Sequence, residues 1–305
     1  MPIEFIRIDH IAMGVEDVEA QAAIFEGLYG CHRERSWEEP GERGVALRLG
    51  DSDIRWEVVA PTDDASPLRA FLDSPRGPGV HHVGVQVADI DATRQSIEAL
   101  GIEAISHDGG NTVSIPADGG GEGTEFRFFT GDAHPEAVPA TGERSEQPAL
   151  GIRRVDHICT AYADRDALSA HYSELLGMRQ IWRTPPGAAP DFADCVLEIP
   201  AGQMFWEVIQ PVGDDSFIQG FIDRRGAAVH HLAFEVADFD AAKQACEYYE
   251  IPTFDEHDDT TDGTRWRDLF IHPRHTGGLL TQIFWEEAPH TWVRSDKVRP
   301  DGFTG

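Results

Sequence analysis

The sequence predicts an α+β fold built from four β-α-β-β-β units in two tandem halves. Three observations carry this. Four segments begin alike: IDHIAMGV (8–15), VHHVGVQV (80–87), VDHICTAY (155–162) and VHHLAFEV (229–236). A helix-compatible stretch follows each, at 16–29, 89–100, 164–176 and 238–249. Finally, WEVVAPTDDASPLRAFLD (56–73) parallels WEVIQPVGDDSFIQGFID (206–223), so the second half repeats the first. Self-similarity of this kind fixes the organisation of a chain before any single element is assigned.

Each unit opens on a short strand with a histidine in its first half. Each predicted helix begins near an aspartate, in VEDVEA, VADIDA, YADRDA and VADFDA. Aspartate caps the free N–H groups of a first helical turn and suits its positive end. Gly30, Gly101 and Gly177 stop three of the helices. Short alternating strands and turns complete each unit. The expected organisation is a first domain over 1–131, a polar, proline-containing linker over 132–150, a second domain over 151–287 and a tail over 288–305.

Composition narrows the function. The chain has 305 residues, with 54 Asp and Glu against 25 Lys and Arg, a net charge of −29. Such a surface repels phosphate backbones, so no nucleic-acid partner is expected. Lys243 and Lys297 are the only lysines. Many carboxylates with few lysines suit work in high salt, where self-repulsion is screened; an arginine-rich genome with an acidic surface is the other reading. No run of about 18 apolar residues is present, so no membrane span is expected. The first residues lack a signal pattern, so a cytoplasmic protein is expected. Cys31, Cys159, Cys195 and Cys246 form no CxxC and read as reduced, mostly buried thiols. The Gly-rich GGGEG (119–123) lacks the Lys-Ser/Thr of a phosphate loop and reads as a hairpin tip.

Alternation along the strands gathers candidate ligands. Residues i and i+2 of a strand share a face. In IDHIAMGV the apolar face is Ile11, Met13 and Val15, and His10 lies opposite with Ala12 and Gly14. In GVHHVGVQV, Val83, Val85 and Val87 oppose His82, Gly84 and Gln86. Glu57 shares a face with Arg55. Small residues beside each histidine leave room around it. His157, Glu207 and His231 repeat the pattern. Imidazole and carboxylate converging from several strands suit Zn, Fe, Mn, Co or Ni. His81 and His230 are expected on the opposite face, and His272 and His275 in a turn.

The four units resemble the vicinal oxygen chelate superfamily, which includes glyoxalase I, methylmalonyl-CoA epimerase, extradiol dioxygenases, 4-hydroxyphenylpyruvate dioxygenase and bleomycin-resistance proteins. The resemblance covers about residues 5–130 and 152–287. It is most local to methylmalonyl-CoA epimerase, in SPLRAFLDSPRGPGVHHVGVQVADIDA (66–92) and FIHPRHTGGLLTQI (270–283). It implies that each half forms a cupped mixed sheet around one divalent metal. It also implies a fourth ligand, Gln282 in the second half and Glu125 in the first. Arg55 and Arg127, or Phe205 and Phe284 at the corresponding second-half positions, would face the substrate.

In the superfamily the metal chelates two neighbouring oxygens of a small molecule and stabilises an enediolate, or presents dioxygen to the substrate. The resemblance therefore implies a metal-dependent isomerase or lyase of the glyoxalase/epimerase type, with Glu57, Glu125 or Glu207 moving a proton. The alternative is an iron-dependent ring-cleaving or hydroxyphenylpyruvate-type dioxygenase, against which Gln282 stands where those enzymes place a carboxylate. A metal-free, drug-sequestering binding protein is the third. The epimerase needs a second acid/base; the first half departs from this, with Leu47 about where that carboxylate would stand, and the second half offers Asp194 or Glu198. A monomer or a homodimer suits the fused halves.

Overall fold

The computed structural model describes residues 2–134, 136–140, 147–185, 187, 191–213, 215–261 and 263–288. The first unit is β1 (Phe5–Gly14), α1 (Val18–Gly27), β2 (His32–Glu39), β3 (Glu42–Arg48) and β4 (Arg55–Pro61). The short α2 (Pro67–Leu72) leads into β5 (Gly79–Val87), α3 (Ile90–Ala99), β6 (Ile105–His107), β7 (Thr112–Ile115) and β8 (Glu125–Phe129). After β9 (Val138–Pro139) the pattern recurs as β10 (Ile152–Ala161), α4 (Arg165–Leu176), β11 (Arg179–Arg183), β12 (Phe192–Glu198) and β13 (Phe205–Pro211). The last unit follows α5 (Phe217–Arg225): β14 (Ala228–Val236), α6 (Phe239–Tyr248), β15 (Thr253–Thr261), β16 (Thr264–Ile271) and β17 (Leu280–Glu286).

Each half closes its two units into one curled mixed sheet. The orders are β6-β7-β8-β5-β1-β4-β3-β2-β9 and β11-β12-β13-β10-β14-β17-β16-β15. At the centre of each, the two opening strands run antiparallel, β1 with β5 and β10 with β14. Each opening strand is flanked by the closing strand of its own unit, in parallel. This brings the repeated histidines into adjacent strands at the middle of each sheet.

The aspartates before the helices act as caps. Asp17 accepts from the N–H groups of Glu19 and Ala20, Asp89 from Asp91 and Ala92, Asp164 from Asp166 and Ala167, and Asp238 from Ala241. Gly177 ends α4 at φ 68°, a left-handed conformation that glycine adopts without steric cost. The apolar sheet faces and the helices share one core. Phe25 of α1 lies 5.1 Å from Trp56 of β4, and Tyr29 lies 5.6 Å from Phe234 of β14, in the other sheet. Phe126 of β8 meets Trp206 of β13 at 5.5 Å and Tyr172 of α4 at 5.7 Å. Tyr29 Oη and Thr281 Oγ1 share a hydrogen bond of 2.6 Å, and Tyr172 Oη donates to the Gly121 carbonyl at 3.0 Å. All four cysteines are buried and none is in a disulfide. Among the described residues, no helix is long and apolar enough to cross a membrane.

The stretch between the halves does more than link. Val138 and Pro139 pair with Ser36 and Arg35 at the edge of the first sheet. Residues 141–146, and the tail beyond 288, lie outside the described residues.

Candidate metal centres

Two equivalent trios stand on the concave faces. In the first sheet His10, Glu57 and His82 place one ligand atom each within 4.8 Å of one another, and in the second His157, Glu207 and His231 do the same. His10 Nε2 lies 3.2 Å from His82 Nε2 and 3.5 Å from Glu57 Oε2. In the second trio the two Nε2 atoms are 3.2 Å apart, each 3.5 Å from Glu207 Oε2. All six residues are buried. The register explains the match. Ala12 pairs with both Glu57 and His82, as Cys159 does with both Glu207 and His231. A small residue on the central strand thus separates carboxylate from imidazole.

Bulges aim the imidazoles. The pairing of β1 with β5 shifts between Ile8 and His10 and again between Ala12 and Met13. The shifts recur at Val155/His157 and Cys159/Thr160 in the second sheet. An extra residue at a bulge turns neighbouring side chains to one side. Asp9 therefore reaches its neighbour, Oδ2 to His10 Nδ1 at 3.1 Å, as Asp156 reaches His157 at 2.8 Å. Strict alternation puts those aspartates on the far face. The repeated Asp-His pair, in IDH and VDH, was the signal for them. The second bulge corrects the expectation for His81 and His230. Both lie beside the ligand candidates, Nδ1 to Nδ1, at 2.9 Å from His82 and 3.0 Å from His231.

These contacts fit a cation. Asp9 and Asp156 hold the proton on Nδ1 and leave each Nε2 lone pair facing its trio. Burial pushes the Asp9 carboxyl up, but His10, Arg55 and Arg7 outweigh it and hold the group down at about 2. Glu57 Oε1 and Gln282 Oε1 are buried without a hydrogen bond among the described residues. A divalent ion in the trio satisfies such acceptors.

The fourth positions differ between the cups. Glu57 stands two residues beyond Arg55, the register partner of His10 on the parallel strand. The same offset from His231, whose partner is Leu280, gives Gln282. From His82, whose partner is Glu125, it gives Arg127. Gln282 donates through Nε2 to Asp268 Oδ2 at 2.6 Å, which leaves its oxygen for the cup. Glu125 does not join the first trio. It accepts from Arg127 Nε at 2.7 Å and lies 3.9 Å from His81 Nε2. The alignment of Glu125 with Gln282 slips by two residues because Ile115 pairs with Phe126 but Ile271 with Thr281. The first turn is one residue longer, and Pro116 answers to His272 rather than Pro273.

The other expected substrate contacts are redistributed. Arg55 is engaged by Asp9 at 3.0 Å and Glu34 at 3.2 Å, so it supports the His10 network. Arg127 also meets Glu42 at 3.4 Å. Phe205 pairs with His157, as Arg55 does with His10. Phe284 answers to Phe129, which stacks on His10 at 5.8 Å, rather than to Arg127. His272 is exposed and accepts from the Arg274 N–H at 3.2 Å, in the turn before β17. Leu47, about where a second acid/base would stand in the first half, is core, and of the two second-half candidates Glu198 is paired with Arg179 at 2.5 Å on the surface. Asp194 is buried and hydrogen-bonded to Glu207, with Thr184 Oγ1 donating to it. In the metal-free chain burial raises the Glu207 carboxyl; His157 opposes the rise and Asp194 reinforces it.

Buried imidazoles make stability depend on pH. Burial holds His81 and His230 down at about 4 and His82 and His231 well below their ordinary range. Unfolded imidazoles titrate near pH 6.5, so below that the unfolded chain binds more protons at these four groups. Their contribution is present above about pH 6.5 and is lost as pH falls toward 4. Glu207 opposes this, gaining its proton in the fold first, as does His157, which burial lowers but Asp156 and Glu207 raise overall. The urea midpoint of the metal-free protein is expected to fall between pH 7 and pH 4; a flat or rising midpoint contradicts the four-histidine balance.

Known proteins resemble the chain in sequence and in fold. The family model described as "Glyoxalase/Bleomycin resistance protein/Dioxygenase superfamily" matches residues 9–115 and 156–267. Mitochondrial methylmalonyl-CoA epimerase of Mus musculus is 26% identical over 149 residues, 48% of this chain and 81% of that protein. Ethylmalonyl-CoA/methylmalonyl-CoA epimerase of Cereibacter sphaeroides is 27% identical over 99 residues, 32% of this chain and 74% of that protein. A mutant 4-hydroxymandelate synthase from Streptomyces coelicolor superimposes over 96% of both chains, with a TM-score of 0.70 and 14% identity, a likeness of fold alone.

Proposed function

The chain belongs to the glyoxalase/bleomycin resistance protein/dioxygenase superfamily, and we propose that its second cup is a divalent-metal-dependent isomerase or lyase site that moves a proton next to a carbonyl. His157, Glu207, His231 and Gln282 would hold the cation. When bound, the cation supplies Lewis-acid stabilisation of the oxyanion that develops as the proton leaves, worth several kcal/mol.

The observation that carries this reading is the carboxyl pair. Asp194 approaches Glu207 from the neighbouring strand, buried and outside the trio, where a carboxylate can take a proton from a substrate held at the cation. A carboxylate positioned within reach of the reacting proton contributes by general base catalysis. Thr184 fixes the Asp194 carboxylate, and Arg165 Nη1 donates to the Asp194 carbonyl at 2.6 Å. Gln282 supports the same choice, since its amide stands where the superfamily's dioxygenases carry a carboxylate. The first cup has no counterpart to the pair, because the register puts Gly44 at the position of Asp194.

A cleft next to the second trio favours an anionic substrate. A cleft of about 170 Å³ opens beside His230, lined by Phe221, Arg224, Arg225 and Leu280 among others. Two guanidinium groups stand there in a chain of net charge −29; Arg225 Nη1 donates to the Arg76 carbonyl at 3.0 Å, and with Arg224 it suits a carboxylate or phosphate. The curated relatives are named for malonyl-type CoA thioesters, which combine neighbouring carbonyl oxygens with such charges. The test is α-hydrogen exchange of methylmalonyl-CoA in deuterated water with the metal-loaded protein, followed by NMR beside an oxygen electrode. Exchange without oxygen consumption is expected. Oxygen consumption with hydroxyphenylpyruvate, and no exchange of the thioester, would favour the dioxygenase instead.

A further inference from the structure

The two cups differ most at one corner. In the second, Thr184 faces Asp194 and Asp194 meets Glu207. In the first, the same positions hold Trp37 and Gly44, paired across β2 and β3. A Cβ on Gly44 would collide with the Trp37 indole, so glycine is what lets the ring lie there. The indole stacks on His134, ring centroids 3.9 Å apart and planes 18° from parallel. His134 Nε2 lies 3.2 Å from Glu57 Oε2.

His134 is anchored on several sides. Arg35 Nη1 donates to both Asp132 oxygens, at 2.6 and 2.9 Å, and to the His134 carbonyl at 3.3 Å. The His134 N–H donates to Asp132 Oδ1 at 3.1 Å. Five residues on, Pro139 pairs with Arg35. The chain leaving the first half thus folds back over the first trio, and Glu57 is fully enclosed, at 0% exposure. Arg127 replaces the amide of the second cup, its charge offset by Glu125 and Glu42.

We propose that Asp132–His134 is a latch and that the first cup is a closed cation site, in which His134 acts as a positioning residue on Glu57. This rests on the reading that the His10, Glu57, His82 trio holds a divalent ion. A partner that fixes a ligating carboxylate raises metal affinity, and closed sites are the structural kind, without an open position for substrate. With the indole and imidazole in place, no two-oxygen chelator reaches the ion, and the ion leaves only when the latch lifts.

The test is release of Zn²⁺ from the fully loaded chain into excess chromogenic chelator, read as a time course. Wild type is expected to release two ions in separate phases, the slower one missing from His10→Ala. His134→Ala is expected to speed the slow phase about 10–100-fold and leave the fast phase unchanged. His134→Gln, which still donates to Glu57, should restore slow release in part. Arg35→Ala, which frees Asp132 and the His134 carbonyl without touching Glu57, should give the same acceleration and serves where His134→Ala does not fold. A slow phase unchanged in His134→Ala and Arg35→Ala overturns the latch. Absence of any ion dependent on His10 overturns both the latch and the trio reading beneath it.

Discussion

Asp194→Asn is expected to lower turnover by about 10²–10⁴-fold, the usual worth of a positioned proton-transfer group. The amide keeps the shape of the side chain and can still meet Thr184, but it cannot hold the proton. Because Asp194 is not one of the trio, bound metal should stay at the wild-type level, and the loss should fall on kcat rather than KM. The substitution leaves Glu207, His157 and His231 in place. Unchanged turnover would remove Asp194 from the chemistry and leave Glu207 to act alone.

Trp206→Ala is expected to cost about 3–5 kcal/mol of stability, as for truncating a buried aromatic. Trp206 is 0% exposed and packs against Phe126 at 5.5 Å and Tyr172 at 5.3 Å. Its Nε1 also donates to Thr160 Oγ1 at 3.1 Å. Phe126 belongs to the first sheet and Trp206 to the second, so the cavity would open where the halves share their core. Urea unfolding should remain a single transition at a lower midpoint. A cost below about 1 kcal/mol would mean that the site collapses freely or that the halves are not packed as described.

Repetition made the fold readable. The four His-bearing strands, the four capping aspartates and the parallel segments 56–73 and 206–223 determine unit order and strand pairing almost alone. The trios were readable for the same reason, since alternation puts His10, Glu57 and His82 on one face. What alternation hides are its breaks. Bulges at Asp9, His81, Asp156 and His230 turn residues toward the site that a regular strand would turn away. A turn longer by one residue sends Glu125 to Arg127 and puts Arg127 where Gln282 stands. His134 was hidden differently. DAHPEAVPATG has the composition of a linker, and only the folded chain brings that imidazole back onto Glu57. Asp194 was one of two carboxylates left open by an uncertain strand alignment; both stand two residues from Val196, the register partner of Glu207, and burial beside Glu207 separates Asp194 from Glu198, which pairs with Arg179 at the surface.

The most direct test of a reactive second cup beside a closed first one is metal content, by elemental mass spectrometry, of the untagged wild type, His10→Ala and His231→Ala, each assayed for α-hydrogen exchange. The expected result is about two ions per wild-type chain and about one in each variant, with exchange kept in His10→Ala and abolished in His231→Ala. Exchange that survives in His231→Ala and disappears in His10→Ala would place the chemistry in the first cup and contradict the assignment.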